Sequence, residues 1–499
     1  MRNIVIGPPG TGKTTFLLDR IEEYLEQGVS PERIAYLTFT RKAANEGLNR
    51  AVKKFSFDPD ELPYFRTIHS LCYRWLNMKR ADVIGKENYR ELGEILGERI
   101  TGGFSNDDGI IKGSTVADQM LLLENTARSK DIPLMQQWKE ASPDYSWMHF
   151  SWLCRSYTEY KKSRYLIDYT DMLEKFLQTK TTPELKVLFI DEAQDLSTLQ
   201  WECVKKIAAN SEEVYIAGDD DQAIYKWAGA DVDQFISLKG KEIQLKQSYR
   251  IPSKVHELSQ QIIKRNKNRR PKEWNAKEEE GSVNYHTAVE HIDMSEGEWL
   301  LLSRNNYLLN PIEEYLKTVG VLYERNHRIS VRQKLLDAIR GWEMLRKGQA
   351  TSLDVVKNIY YFMSVGKGIE RGKKNLKTAD EESLYTLENL KKRHGLLVES
   401  IWHEAFDRVG TQEREYLISC LRKEEKITSP RIKLSTIHAA KGGECDNVVL
   451  LTDMANSTWK ELGKNPENEN RTFYVAVTRT KQNLHVVLPR THKNFTIAY

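Results

Sequence analysis

The chain has 499 residues, of which 40% are hydrophobic and 29% charged, with 75 Lys and Arg against 71 Asp and Glu. That length exceeds what one hydrophobic core serves, so two to four domains are expected, and the composition excludes collagenous, disordered and disulfide-stapled classes. A net charge of +4 excludes a basic coat, so contact with nucleic acid would have to come from local grooves. Cys72, Cys154, Cys203, Cys420 and Cys445 are isolated, with no C-x-x-C pair; zinc and iron–sulfur sites are not expected, and a reducing cytoplasm suits such thiols. The chain shows no apolar run of membrane-spanning length and no leader-like start, so no membrane segment or signal peptide is expected.

In chain order, residues 3–6 (Asn-Ile-Val-Ile) predict a buried strand, and residues 15–25 carry apolar side chains at helical spacing. Between them lies Gly7-Pro8-Pro9-Gly10-Thr11-Gly12-Lys13-Thr14. Strand, glycine-rich loop and helix start form the setting in which G-x-x-x-x-G-K-[ST] cradles phosphate with backbone N–H groups and a helix N-terminus. Lys13 is placed to reach β/γ-phosphates and Thr14 to ligate Mg²⁺. A second strand is predicted over 34–40, followed by a helix start at 41–46, and Thr67-Ile68-His69-Ser70 precedes a helix over 71–76. Residues 79–162 read as a mostly helical insertion, punctuated by Gly102-Gly103 and Asn106-Asp107-Asp108-Gly109.

The run 185–190 predicts a strand that closes on Asp191 and Glu192. An acid at the C-terminal end of a parallel strand beside a phosphate loop suits a Mg²⁺ ligand, here Asp191, and its neighbour Glu192 suits activation of a water. A strand over 214–217 runs into Gly218-Asp219-Asp220-Asp221-Gln222-Ala223-Ile224-Tyr225-Lys226-Trp227. That mixture makes sense if one end senses a phosphate and the other stacks a base. The second half supplies strands at 243–245, 299–302, 432–436, 448–451 and 484–488. The basic run 264–270 (Lys-Arg-Asn-Lys-Asn-Arg-Arg) reads as a solvated helix end, with contact to phosphates as the alternative.

These stretches together resemble the UvrD/Rep/PcrA-type superfamily 1 (1A) DNA helicases, in a short variant. The resemblance is carried in order by the phosphate loop, T-F-T-R-K-A-A (38–44), T-I-H (67–69), D-E-A-Q-D (191–195), G-D-D-D-Q-x-I-Y-x-W-x-G-A (218–230), Q-S-Y-R (247–250), S-T-I-H-A-A-K-G-G-E (435–444) and Y-V-A-V-T-R-T (474–480). It implies an α/β fold of two RecA-like parallel-sheet P-loop domains, each with a mostly helical insertion. Residues 1–78 and 164–241 would form the first domain and 79–163 its insertion. Residues 242–340 and 431–499 would form the second, with 341–430 as a shortened insertion.

The activity implied is that of a DNA-dependent ATPase and helicase, using ATP and Mg²⁺ to move 3′→5′ on single-stranded DNA and to unwind duplexes. Lys13, Glu192, Gln222 (as γ-phosphate sensor), Arg250 and Arg479 (as arginine fingers) would be catalytic. ATP would be bound by Gly7, Pro8, Pro9, Gly10, Thr11, Gly12, Lys13, Thr14 and Thr15, with Tyr249 stacking on adenine and Glu444 at the ribose; Thr14 and Asp191 would hold the metal. Phe39, Tyr225 and Trp227 would stack bases, His69 and His438 contact the strand, and Thr40, Thr67 and Thr436 contact phosphates. Expected partners are single-stranded DNA and single/double-strand junctions, with no protein-partner motif and a monomer in the free state. The location would be cytoplasmic, nucleoid-associated or in a host cytoplasm.

Four departures from the family pattern bear on these roles. Gly7 stands too near Met1 for the family's adenine-reading glutamine segment, and Thr15 replaces its common arginine, so broad nucleotide use is expected. Gly443 and Cys445 flank Glu444, which loosens the expected ribose contact. Only eighteen residues follow Lys481, so a strand-separating hairpin is expected to be reduced, with Phe495 and Tyr499 as candidates. A motor or clamp that displaces or recruits proteins without opening duplexes stays open beside the helicase. A nucleotide kinase does not, because it leaves residues 222–227 without a role.

Overall fold

The computed structural model describes residues 2–105, 112–113, 115–376, 379–380, 383–423 and 429–497. The Asn106–Gly109 turn and Tyr499 lie outside them. The chain divides into two compact units, one of residues 1–287, 302–306 and 436–499, the other of 288–301 and 307–435.

The first unit begins with β1 (Arg2–Ile6), α1 (Lys13–Glu26), β2 (Ile34–Thr38), α2 (Arg41–Phe55), β3 (Phe65–Thr67) and α3 (Ile68–Trp75). Helices α4 (Lys86–Leu96), α5 (Val116–Ser129), α6 (Leu134–Ala141) and α7 (Trp147–Ser163) follow, then α8 (Tyr169–Gln178), β4 (Leu185–Asp191), α9 (Thr198–Ala209), β5 (Ser211–Gly218), α10 (Val232–Ile236) and β6 (Lys241–Gln244). Among the described residues the sheet order is β3-β2-β4-β5-β1-β6, with every neighbouring pair parallel. A parallel sheet is covered on both faces, so its central strands are largely apolar, with side chains that alternate between two cores. Ile4, Leu37, Leu188 and Ile190 enter one core with Ile68, Phe176 and Trp201. Val5, Tyr36, Val187 and Phe189 enter the other with Leu17, Ile21 and Phe65. Helices α4 to α7 bury their own cluster around Leu121, Phe150 and Tyr157, and the stretch is mostly helical as its pattern predicts.

The predicted strand over 34–40 stops at Thr38. Thr40 instead caps α2, its hydroxyl accepting from Ala43 N at 3.1 Å, and Thr67 caps α3 by accepting from Ser70 N at 3.2 Å.

The rest of the first unit carries α11 (Ser253–Ile263), the parallel strands β7 (Ser282–His286), β12 (Cys445–Leu451) and β13 (Thr480–Val487), and helices α18 (Asn456–Lys464) and α19 (Pro466–Val477). In the second unit β9 (Tyr323–Arg325) pairs antiparallel with β10 (Arg328–Ile329) and parallel with 432–434 of β11 (Ile432–Thr436). Strand β8 (Trp299–Ser303) and helices α12 (Asn310–Thr318), α13 (Gln333–Arg346), α14 (Leu353–Tyr361), α15 (Leu387–His394), α16 (Trp402–Ala405) and α17 (Thr411–Arg422) complete the elements named here. Much of that unit's core gathers around Trp342, Tyr360 and Phe406. The fold is α/β with parallel sheets, as expected for RecA-like domains.

Two expectations are corrected. The basic run 264–270 is a solvated helix end only in its first part, where Lys264 and Lys267 are exposed: Arg269 forms a two-point ion pair with Asp221, and Arg270, 7% exposed, reaches Glu242 and the carbonyls of Phe235 and Leu238. Acids distant in sequence neutralise these two arginines, which local charge patterning does not show. Phe495 is not presented as a pin but is 3% exposed and stacked on Phe473, with centroids 4.0 Å apart and planes at 3°.

Candidate nucleotide cleft and aromatic platform

Residues 7–14 wrap the end of β1 and open a cleft of about 220 Å³ that Thr15, Asp191, Glu192, Gln222, Arg250 and Arg479 also line. The loop conformation depends on missing side chains. A Cβ on Gly7 would stand 1.9 Å from Lys13 Cγ, and Gly10, at φ +71°, would place one 2.4 Å from Arg250 Cβ. That second approach lets the segment 247–250 dock on the loop, where Ser248 Oγ donates to Pro9 O at 2.8 Å and Tyr249 N to Gly10 O at 2.9 Å. Tyr249 is left 76% exposed beside the loop, an aromatic face open to a planar base.

Lys13 Nζ donates to Gly7 O at 3.0 Å and lies 3.5 Å from Glu192 Oε1. Thr14 Oγ1 donates to Asp191 Oδ2 at 3.1 Å. Burial, and then the neighbouring Glu192 charge, push the Asp191 carboxyl above its usual range. Burial acts the same way on Glu192. There it is outweighed by Lys13, then Lys441, the Gln194 amide and Arg479, which hold that carboxyl at about 2. Glu192 also sits at φ +54°, a left-handed conformation costly for a residue with a Cβ and characteristic of functional sites.

A hydrogen-bonded path leaves this acid. Gln194 Nε2 donates to Glu192 Oε2 at 2.6 Å and its Oε1 accepts from Asp219 N at 3.0 Å. Gln222 Nε2 donates to Asp219 Oδ2 at 2.8 Å, and Arg479 Nη2 donates to Gln222 Oε1 at 3.1 Å. Arg479, 2% exposed, also donates to Val475 O and Gly443 O. Arg250 forms an ion pair with Glu444. The structure thus gathers the predicted phosphate, metal, water-activating and arginine residues around one cleft, with Glu444 tied to its rim through Arg250.

Beyond Gln222 the predicted stacking residues form one cluster. Phe39 and Tyr225 lie 5.8 Å apart, Tyr225 and Trp227 6.1 Å, and His438 lies 6.3 and 6.4 Å from the Tyr225 and Trp227 rings. Trp227 is half-buried, whereas His438 is 3% exposed and Thr436 fully buried. The Thr436 hydroxyl faces Ala439 N at 3.3 Å, so these two sit beneath the aromatic surface. Burial, then Arg304 and Lys441, keep His438 far below its ordinary value and neutral.

Thr67 and His69 lie elsewhere in the unit, in a groove of about 930 Å³ lined also by Arg41, Arg66, Arg74, Arg80, Tyr73 and Tyr169. Burial, then Arg41, bring the His69 imidazole to about 4.

Sequence reasoning missed several participants. Lys441 Nζ donates to Asp195 Oδ1 at 2.8 Å and Oδ2 at 2.5 Å, donates to Gln222 O at 2.7 Å, and sits 5.0 Å over the Tyr225 ring. Lys272, its side chain fully buried, bonds Asp219 and Asp220, each at 2.6 Å. The three consecutive aspartates were the one available signal, since buried carboxylates need a cation.

Two family models match the chain. The UvrD/REP helicase N-terminal domain matches residues 1–243, and the UvrD-like helicase C-terminal domain matches 340–491. Relatives include the ATP-dependent DNA helicase PcrA of Staphylococcus aureus (strain Mu50 / ATCC 700699), 28% identical over 316 residues. The PcrA of Staphylococcus epidermidis (strain ATCC 12228 / FDA PCI 1200) is 27% identical over 312. Each match covers 59% of this chain and 42% of the relative.

Proposed function

The chain belongs to the UvrD/Rep helicase family, and from that premise we propose that it is an ATP-driven motor that translocates 3′→5′ on single-stranded DNA and unwinds duplexes. The observation that carries this reading is the continuous path Glu192–Gln194–Asp219–Gln222–Arg479, which starts at the phosphate loop. Through Lys441, which grips Gln222 O and covers Tyr225, it ends at the aromatic platform. A change at the γ-phosphate therefore has a mechanical route to stacked bases, and stacking tolerates any sequence. The exposed Tyr249 ring suits adenine. The groove with Arg41, Arg66, Arg74 and Arg80, which make no ion pair among the described residues, suits a phosphate backbone.

Thr14 and Asp191 place a hydroxyl and a carboxylate oxygen side by side, the hard oxygen set that Mg²⁺ takes. The buried Asp191 meets no cation within ion-pair distance among the described residues. The ion would supply charge neutralisation at the β/γ-phosphates. In this reading Lys13 holds the γ-phosphate, Glu192 orients or deprotonates the attacking water, and Arg250 and Arg479 face developing charge. Residues 1–78 and 164–241 act as the first motor domain, 242–340 and 431–499 as the second, with 79–163 and 341–430 as insertions. No helix among the described residues is long and apolar enough to cross a membrane.

Lys13→Ala is the test: ATP turnover is abolished while binding to single-stranded DNA persists, because the platform does not need the phosphate cradle. Normal DNA-stimulated hydrolysis by that variant would refute the assignment. The short 341–430 stretch favours a second reading, a motor that displaces or recruits proteins without opening duplexes. DNA-stimulated ATPase without strand displacement would select it.

A further inference from the structure

Tyr36 lies in the middle of β2, 1% exposed, and its hydroxyl donates to Asp191 Oδ2 at 2.6 Å. The same oxygen accepts from Thr14 Oγ1 at 3.1 Å, and Oδ1 accepts from Glu192 N at 2.9 Å. Three donors thus fix the carboxylate, and the phenol is the one that approaches from inside the core. Its ring is held on two sides. It stacks on Phe65 with centroids 5.6 Å apart and planes at 21°. It also fills the space over Gly47 of α2, where a Cβ would stand 2.5 Å from Tyr36 Cε1. In the β2–β4 register Tyr36 pairs with Phe189, two residues before Asp191, so a side chain as long as tyrosine is needed to reach forward to the acid.

We propose that Tyr36 is a positioning residue for the divalent cation that accompanies the nucleotide, its hydroxyl setting the plane of the Asp191 carboxylate beside Thr14. The physical basis is that a carboxylate meeting a hard cation must be held in orientation, and outer donors supply that restraint. A water in this role would be free to leave; a phenol wedged between Phe65 and Gly47 is not. This proposal rests on the reading of the cleft as a nucleotide–cation site.

The test uses Tyr36→Phe in the full chain, with Mn²⁺ as probe at saturating ADP and free Mn²⁺ read by electron paramagnetic resonance. Mn²⁺ binding is expected to weaken about 10–100-fold, while ADP affinity in EDTA and single-stranded DNA affinity stay parental. Parental Mn²⁺ affinity in the variant overturns the proposal. So does an equal loss of metal-free ADP affinity, which would make Tyr36 a packing residue only. Where Y36F proves too unstable to assay, Gly47→Ala gives the same readout by crowding the ring while leaving the hydroxyl, and parental Mn²⁺ affinity there overturns the proposal equally. A parent chain that binds ADP but no Mn²⁺ with it, or no ADP at all, instead overturns the cleft reading on which the proposal stands.

Discussion

Lys441→Met removes the ammonium that Asp195 and Gln222 share. Both members of the Lys441–Asp195 pair are buried, their side chains 9% and 3% exposed. At the observed 2.5–2.8 Å, the gross attraction is about 6 kcal/mol at an effective dielectric of about 20. Desolvation offsets most of that, but removing one partner strands the other, which costs about 3–5 kcal/mol. The stranded carboxyl can escape by taking a proton, and this makes the cost depend on pH. In the parent, burial raises the Asp195 carboxyl from its ordinary 3.8 to about 6, against the pull of Lys441; without Lys441 it rises further. A raised carboxyl binds its proton more tightly in the folded chain. Its contribution to stability therefore falls as pH climbs from the unfolded to the folded value and is level above that. The parent's decline ends near pH 6. The variant's continues at about 1.4 kcal/mol per pH unit, widening its deficit by up to about 2.7 kcal/mol between pH 6 and 8. Urea unfolding at pH 6, 7 and 8 of the parent, Lys441→Met, Asp195→Asn and the double variant measures this, and the double variant is expected to lack the slope. A deficit equal at pH 6 and 8, or a double variant that loses the full sum of the singles, refutes the reasoning.

Arg250→Ala is expected to keep nucleotide binding and melting temperature while losing turnover by about 10³–10⁵-fold; parental turnover ends its finger role. Arg479→Lys should lose turnover similarly but also melt lower, since Gln222, Gly443 and Val475 each lose a guanidinium donor; an unchanged melting temperature contradicts that geometry. Trp227→Ala should weaken single-stranded DNA binding by about 1–3 kcal/mol in anisotropy titrations, with unwinding falling further than basal ATPase. A large loss of melting temperature with unchanged affinity would make Trp227 a core residue, for which truncation costs about 3–5 kcal/mol. GTP should support measurable turnover, because stacking on Tyr249 ignores exocyclic groups. Strict dependence on ATP would point to a residue that reads the base edge.

The central strands of the first sheet were legible because a strand covered on both faces must be largely apolar. The runs 3–6, 185–190 and 214–217 accordingly appear as the cores of β1, β4 and β5. The candidate phosphate loop was legible for a related reason: the chemistry proposed for it is local, needing glycines, a lysine and a threonine within eight positions. The sequence by itself therefore determined the α/β class, the order of the motifs and the residue types around the cleft.

Partnership across long separations was decided only in three dimensions. Tyr36 reads as one more strand aromatic until Asp191, 155 positions away, receives its hydroxyl. Lys441 has no role legible in the sequence until Asp195, 246 positions away, accepts from its ammonium. The basic run 264–270 looks solvated alone, yet Arg269 and Arg270, together with Lys272, meet the acids at 219–221 in the interior. Local sequence records what a side chain is able to do. Only packing brings opposite charges, and a donor and its acceptor, close enough in a water-poor interior for the interaction to outweigh their desolvation.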